Sequence, residues 1–322
     1  MVKQLFILGT GFIGGSVLAA LLEQKKSEYE FAALCRDEKK ADKLKELGVR
    51  PVMGSLHDDE VISKEVEKAD VVLHIATADD LPSVQSIIKG LSARPASKEP
   101  AIYIHTSGTG VFTIPEHPDD TVFNDKNPEQ FDKLLDEEKS PHRKEDMAIK
   151  RAVDSGKLNA KVSIILPPTI FGVGSGPFNT ISIQIPGWIK EVKGKKFTVW
   201  GGQRRWQNIH IKNLVTAYLT LLAHLENTTT TSPPLYVIAE TGEHYWKDVG
   251  ARLQKELSAR KLITDEEPEV ISDANYDLET GTQSRAKSEW LHEWGWKVDE
   301  TLPSVFDSIP EEIEEMQRVG QI

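Results

Sequence analysis

The 322-residue chain is poor in sulfur and in aromatic groups: one cysteine, four methionines and 7% Phe, Trp and Tyr. A single cysteine excludes an internal disulfide and a thiolate zinc cluster. Its place in the apolar run Phe31–Cys35 reads as a small buried core residue rather than a reactive thiol. No apolar run approaches the ~20 residues needed to span a bilayer, so no membrane role is expected. The first residues lack the long apolar region and small-residue cleavage site of a signal peptide, and the expected compartment is cytoplasmic. Positive charge is also short. With 39 Lys and Arg against 50 Asp and Glu, the net charge of −11 argues against a broad nucleic-acid surface but leaves room for one local basic pocket. The nine histidines show no His-Glu-x-x-His spacing, and neither a Walker loop nor a Gly-x-Ser-x-Gly elbow is present, so no metal is expected.

What is present is a globular composition, 39% hydrophobic and 28% charged, in a chain long enough for two lobes. Short apolar runs at Val2–Leu8, Phe31–Cys35, Arg50–Met53, Val71–Ile75, Ala101–Thr106 and Val162–Leu166 read as strands. Helical patterns lie between them at Ile13–Leu22, Lys39–Leu47, Asp58–Lys68 and Pro141–Ser155, the last with Pro141 in its first turn. Strands joined through helices pair in parallel, and Val- and Ile-rich strands suit a sheet covered on both faces. The fold class is α/β, a doubly wound parallel sheet of the Rossmann kind with a smaller discontinuous C-terminal lobe. Residues 1–166 and about 205–240 are assigned to the dinucleotide-binding lobe, and about 167–204 and 241–322 to a substrate-binding cap. Thr113–Ser140 reads as an exposed excursion, Ile211–Leu225 as a scaffold helix and Leu235–Ala239 as a further strand.

The sharpest motif is Gly9-Thr-Gly11-Phe-Ile-Gly14, placed after a strand and opening an apolar helix. Gly9 permits the tight turn, Gly11 lets the backbone approach a pyrophosphate, and Gly14 lets helix pack on strand. The helix N-terminus then offers free N–H groups and partial positive charge to phosphate. A tight turn with no ligand is the bland alternative. At the end of the second strand the chain reads Cys35-Arg36-Asp37. Arg36 suits a 2′-phosphate, whereas Asp37 can still reach a ribose hydroxyl; NADP(H) is favoured over NAD(H).

Four further stretches accompany this motif: Ala69-Asp-Val-Val-Leu-His-Ile-Ala-Thr77, Thr106-Ser-Gly-Thr-Gly-Val-Phe112, Leu166-Pro-Pro-Thr-Ile-Phe-Gly172 and Trp206-Gln-Asn-Ile-His-Ile-Lys-Asn213. With Arg285, Leu291, Gly295 and Trp296, they resemble the extended short-chain dehydrogenase/reductases. The resemblance is strongest to atypical fungal proteins described as NAD-dependent epimerase/dehydratase-like, and covers nearly the whole chain. It implies a cofactor site made of Gly9, Thr10, Gly11, Phe12, Ile13, Gly14, Arg36, Ala76, Thr77, Pro167 and Thr169. It also implies Ser107 as the group that holds a carbonyl oxygen, with Thr109 the alternative if the loop register shifts by two. The family's general acid is a Tyr followed four residues later by a Lys. Here that segment reads His142-Arg-Lys-Glu-Asp146, and no tyrosine lies between Tyr103 and Tyr218.

Two readings of that substitution stay open. His142 and Asp146, four apart on one helix face, can interact so that the carboxylate favours a proton-donating imidazolium; or the pair is ordinary helix surface at a decayed site. Gly174, Phe178, Asn179 and Gln184 are expected to line the substrate cleft; Arg205, in Gln203-Arg-Arg-Trp206, reads as a holder of an anionic substrate, a holder of the cofactor phosphates or a solvated charge. His210 reads as either a packed, hydrogen-bonded histidine or a substrate contact. The expected activity is NADP(H)-dependent reduction of a small-molecule aldehyde or ketone. An isomerase, epimerase or lyase that uses the same cofactor without net redox change, and a non-catalytic nucleotide sensor that binds a protein partner, remain the competitors. Relatives often pair through two helices of the cofactor lobe, which leaves a homodimer open.

Overall fold

The computed structural model describes residues 2–113, 121–135, 141–200, 204–264, 266–271 and 283–322. Its main layer is a seven-stranded parallel sheet of β1 (Lys3–Leu8), β2 (Tyr29–Cys35), β3 (Arg50–Met53), β4 (Val71–His74), β5 (Ala101–Thr106), β7 (Ala160–Leu166) and β11 (Tyr236–Ile238), in the order β11-β7-β5-β4-β1-β2-β3. The order reverses between β1 and β4, and ligands of doubly wound sheets bind outside the carboxyl ends of the strands at such a switch point. Successive residues of one strand feed opposite cores. Leu5 and Ile7 pack with α1 (Phe12–Gln24), α2 (Glu38–Glu46) and α8 (Ile211–Asn227). Phe6 and Leu8 pack with α3 (Asp59–Lys68), α4 (Leu81–Ala93) and α6 (Arg143–Asp154). All residues of β4 and β5 are buried, as a sheet covered on both faces requires.

A third apolar core lies after β7. Phe171, Ile185, Trp188, Trp206, Trp246, Leu253, Ile309 and Ile313 fill it. They come from β8 (Thr169–Phe171), α7 (Gln184–Val192), β10 (Arg205–His210), α9 (Trp246–Ala259) and α11 (Ile309–Arg318). A three-stranded sheet of β8, β10 and β12 (Gly242–Tyr245) sits with it, and β9 (Thr198–Trp200) pairs with β13 (Glu269–Ile271). Leu291 and Trp296 join the core beneath α8, and Trp296 donates its indole N–H to Thr216 at 2.9 Å. The stretch 286–298 thus leans on the large sheet, while α11 returns to the third core.

Two sequence expectations are corrected. The excursion over 113–140 is not simply exposed. Residues 114–120 and 136–140 lie outside the described residues, but 121–135 carries β6 (Phe123–Asn124), paired with β14 (Ala286–Lys287), and α5 (Pro128–Leu135). Phe123 and Phe131 are buried against Phe112, and buried Asp125 accepts the backbone N–H groups of Ile238 and Glu289. Prolines and acids masked the few anchoring aromatics. Pro141 is not in a first helical turn either: α6 begins at Arg143, behind an N-cap residue, His142, with a left-handed φ of 68°. Helix α4, which the sequence reading leaves unassigned, starts at an Asp80 cap that accepts Ser83 N–H at 2.8 Å.

Candidate active site

The glycine loop joins β1 to α1 at the switch point. Gly9 sits at φ 99°, and a Cβ there would lie 2.3 Å from the backbone of Ala76; one on Gly14 would lie 2.0 Å from the Gly9 carbonyl. Only glycine fits either place. The Gly11 Cβ direction, by contrast, opens on free space, and the first turn of α1 carries no acidic side chain. A backbone N–H cradle with one open side and no competing carboxylate fits a dinucleotide pyrophosphate. Thr10 and Thr169 are buried with hydroxyl oxygens that meet no partner among the described residues, as groups awaiting a ligand would be. Phe12 is buried in the core, Ile13 is partly buried, and Ala76 and Thr77 follow β4 beside Gly9.

At the end of β2, Asp37 caps α2, accepting Lys40 N–H at 2.8 Å. Arg36 is exposed and makes no hydrogen bond or ion pair with a described residue. Its neighbour Lys40, absent from the sequence candidates, is half-buried, and its ammonium lies 4.8 Å from the centre of the Phe178 ring. Burial pulls the Lys40 pKa down, and Arg36 adds to the effect. Two cations therefore stand where sequence showed one, and Phe178 lies with them rather than beside Ser107.

Ser107 follows β5, its N–H on the Ile165 carbonyl at 2.9 Å, and is 5% exposed. Its hydroxyl donates to Asp146 Oδ2 at 2.8 Å. Asp146 is 1% exposed, and burial pushes its pKa up to about 7. The His142–Asp146 side-chain pair, one of the two open readings, does not form. As N-cap in a left-handed conformation, His142 still accepts Asp146 N–H on its carbonyl at 3.0 Å, but its side chain turns away, and its Nδ1 and backbone N–H both meet Asp79 Oδ1, at 2.7 and 2.9 Å. That bond holds the Asp79 carboxyl below the usual range. The His142 ring still faces the site: a Cβ on Gly108 would lie 3.2 Å from its Nε2. Ser107, Asp146 and His142 are thus together, and Asp79 is the partner that sequence reasoning missed. Thr109 is buried, its N–H on the Pro167 carbonyl at 3.0 Å and its own carbonyl accepting from Ser284, while its hydroxyl is unpartnered among the described residues.

The remaining candidates are placed elsewhere on the cleft wall. Gly174 packs on Phe12 and Ser16 of α1, and Ser175 N–H reaches Ser16 Oγ at 3.2 Å. Gly176 meets Gly15 closely, so this loop is stapled to the helix that opens at the glycine motif. Asn179 is tied to its own loop through Ile181, and Gln184 starts α7. Arg205 pairs with Glu243 at 3.6 Å; Gln203, its sequence neighbour, lies outside the described residues. His210 is a packed histidine: Nδ1 accepts Lys212 N–H at 3.1 Å, its ring meets Phe171 edge-on, and burial lowers its pKa to about 4. Gly172 N–H is held by buried Glu312 at 3.0 Å.

A separate cavity of about 330 Å³, lined by Lys26, Tyr29, Arg50 and Glu65, opens at the amino ends of β1 to β3, the wrong edge for a ligand of this sheet. Among the described residues, no group of His, Cys, Asp or Glu could hold a metal ion, and no helix is long and apolar enough to cross a membrane.

Fold and cleft define a doubly wound α/β protein with a nucleotide-type glycine loop at its switch point. Residues 3–89 match the model of the NmrA-like family. An oxidase, ucsJ, from an Acremonium species is 28% identical over 299 residues, 85% of this chain and 84% of that protein. Among solved structures, the UDP-glucuronic acid 4-epimerase of Bacillus cereus, in complex with UDP-glucuronic acid and NAD, superposes with a TM-score of 0.69 at 14% identity, covering 98% of this chain and 99% of that one. The dTDP-glucose 4,6-dehydratase DesIV of Streptomyces venezuelae, with NAD bound, gives 0.69 at 15% identity, covering 98% and 97%. These likenesses establish the fold.

Proposed function

We propose that the protein is an NADP(H)-preferring oxidoreductase that reduces the carbonyl of a small to medium, uncharged organic molecule. The observation that carries this reading is the buried Ser107–Asp146 pair, 2.8 Å apart, which stands at the carboxyl end of β5 in the same cleft as the glycine loop. Gly9, Thr10, Gly11 and Gly14 would hold the pyrophosphate. Arg36 and Lys40 are both free of ion pairs with described residues, and Asp37 is engaged as a helix cap, which favours a 2′-phosphate over a bare ribose. The nicotinamide, when bound, supplies the hydride. Ser107 Oγ–H would turn from Asp146 to the substrate oxygen and steady the negative charge that grows there. Two groups stand ready to make good the proton, Asp146 beside Ser107 and His142 over Gly108. Arg205 is already paired with Glu243, in keeping with an uncharged substrate.

The test is a fluorescence titration of nucleotide-stripped protein with NADPH and NADH in parallel, followed by a carbonyl screen. Micromolar NADPH binding, at least about tenfold tighter than NADH, is the expected result; tenfold corresponds to about 1.4 kcal/mol. Failure to bind either nucleotide would sink the reading. Turnover of a substrate with no net change in nicotinamide absorbance would mark an isomerase, epimerase or lyase instead.

A further inference from the structure

Behind Asp146 lies a second polar cluster for which hydride transfer alone gives no reason. His74 and His105, on adjacent strands β4 and β5, are both fully buried, with their Nδ1 atoms 3.0 Å apart. His74 Nε2 meets Ser83 Oγ at 3.3 Å, and Ser83 Oγ–H donates to the Asp80 carbonyl at 2.9 Å. His105 Nε2 faces Asp146 Oδ1 at 3.9 Å, and neither atom has a hydrogen-bond partner among the described residues.

The direction of each bond follows from the first. A carbonyl only accepts, so the Ser83 proton is committed to Asp80, and Ser83 Oγ must accept from His74 Nε2–H. Burial holds both rings neutral, with the His74 pKa lowered to about 4 and that of His105 lowered as well, so each ring carries one proton. His74 Nδ1 is then a lone pair and accepts from His105 Nδ1–H. That leaves a lone pair on His105 Nε2, turned toward Asp146. A separation of 3.9 Å is what two acceptors with no proton between them adopt. An ionised Asp146 would hold its charge against that lone pair with one hydrogen bond, from Ser107. A proton on Oδ2, shared with Ser107 Oγ at 2.8 Å, removes the charge while Oδ1 and Nε2 remain two acceptors with none between them.

We propose that the His74–His105 pair serves to keep Asp146 a neutral carboxylic acid, making Asp146, through Ser107, the proton donor of the site. The catalytic half of this rests on the oxidoreductase reading. In the step, the carbonyl carbon would gain its C–H bond from the hydride that a bound reduced nicotinamide would supply, and the carbonyl π pair would move to oxygen. That oxygen takes the Ser107 hydroxyl proton, and Ser107 takes the Asp146 carboxyl proton in turn. Asp146 is left as carboxylate and is reprotonated from the cleft after product leaves. His74 and His105 are positioning residues; they touch no reacting atom. The other titratable or charged groups around Asp146 are His142, Arg143 and Glu145 from α6, Tyr103 from β5 and Asp79 from the loop after β4. Tyr103 and Asp80 flank the histidines. His142 favours an ionised Asp146, and the two acids oppose it.

The direct test is the histidine tautomers, read by long-range ¹H–¹⁵N correlation on the intact protein in mildly acidic buffer. His105 should carry its proton on Nδ1 and His74 on Nε2. A proton on His105 Nε2 overturns the inference and leaves the functional reading intact. In turnover, Asp146→Asn should lower kcat by about 10²- to 10⁴-fold with the NADPH Kd unchanged. Ser83→Ala, which frees the pair to reverse, should move the alkaline limb of the kcat profile to lower pH by about one unit, the worth of one buried hydrogen bond. An unmoved limb, or near-normal turnover in Asp146→Asn, overturns the donor role. A protein that binds neither nucleotide overturns that role together with the functional reading, with the tautomer result unaffected.

Discussion

At the glycine-loop end of the cleft the backbone sets the shape: a Cβ on either of two glycines would collide with it, at 2.3 Å in one case and 2.0 Å in the other. At the Ser107 end the opposite holds. Ser107, Asp146, His105 and His74 are almost wholly buried side chains, drawn from α6, β4, β5 and its following loop, and their properties depend on one another. Gly9 and Gly14 tolerate no added Cβ.

The largest effect expected from this contrast is at Gly9. Gly9→Val forces a branched side chain into a positive φ and into the Ala76 backbone, and should cost more than about 4 kcal/mol or prevent folding. A denaturant midpoint near that of the parent would break the comparison. Next, Glu312→Ala strips Gly172 N–H, Ser182 and Ser308 of their buried acceptor and should destabilise by about 1–3 kcal/mol, whereas Glu312→Gln keeps an oxygen there and should cost less. Chemical denaturation of the two variants separates loss of charge from loss of acceptor. At the nucleotide end, Arg36→Ala should weaken NADPH about tenfold, about 1.4 kcal/mol, and leave NADH untouched. Equal losses for both nucleotides would remove Arg36 as the 2′-phosphate reader.

A pH slope sharpens the comparison in a different way. Burial raises Asp146 and Glu312 to about 7 in the fold, from 3.8 and 4.5. Between those limits the native state binds more protons than the unfolded chain, so stability falls as pH rises through that window. The double variant Asp146→Asn, Glu312→Gln should flatten this decline in melting curves taken across it. An undiminished slope would place its origin elsewhere.

The glycine loop was legible in the sequence because a backbone demand leaves a residue-type signature. Gly9 and Gly14 had to be glycine, and the Val- and Ile-rich strands around them had to be covered on both faces. The place of Ser107 directly after the fifth strand came through the family resemblance. The pairings were not legible. Nothing local to His142 announces the left-handed φ that turns it from Asp146 to Asp79, 63 residues away. The Gly15–Gly176 contact and the Phe178–Lys40 stack also join segments far apart in the chain. The continuous burial of β4 and β5 did carry a faint sign of the histidine pair, since His74 and His105 occupy positions that a strand covered on both faces reserves for apolar residues.

The tryptophans divide the molecule optically. Trp188, Trp206 and Trp246 form one edge-on cluster in the third core, with ring centres 6.1 to 6.4 Å from Trp246. Trp290 and Trp294 stack 5.7 Å apart under α8, with His224 lying 3.9 Å over Trp294. Burial lowers the His224 pKa, so at neutral pH an uncharged imidazole covers that indole, and acidification places a quenching cation on it. Emission therefore holds two populations, one for each body of packing, and acid dims one of them first. Followed through a denaturant series with Trp294→Phe as the control, the two signals report whether the large sheet and the third core come apart in one transition or in two.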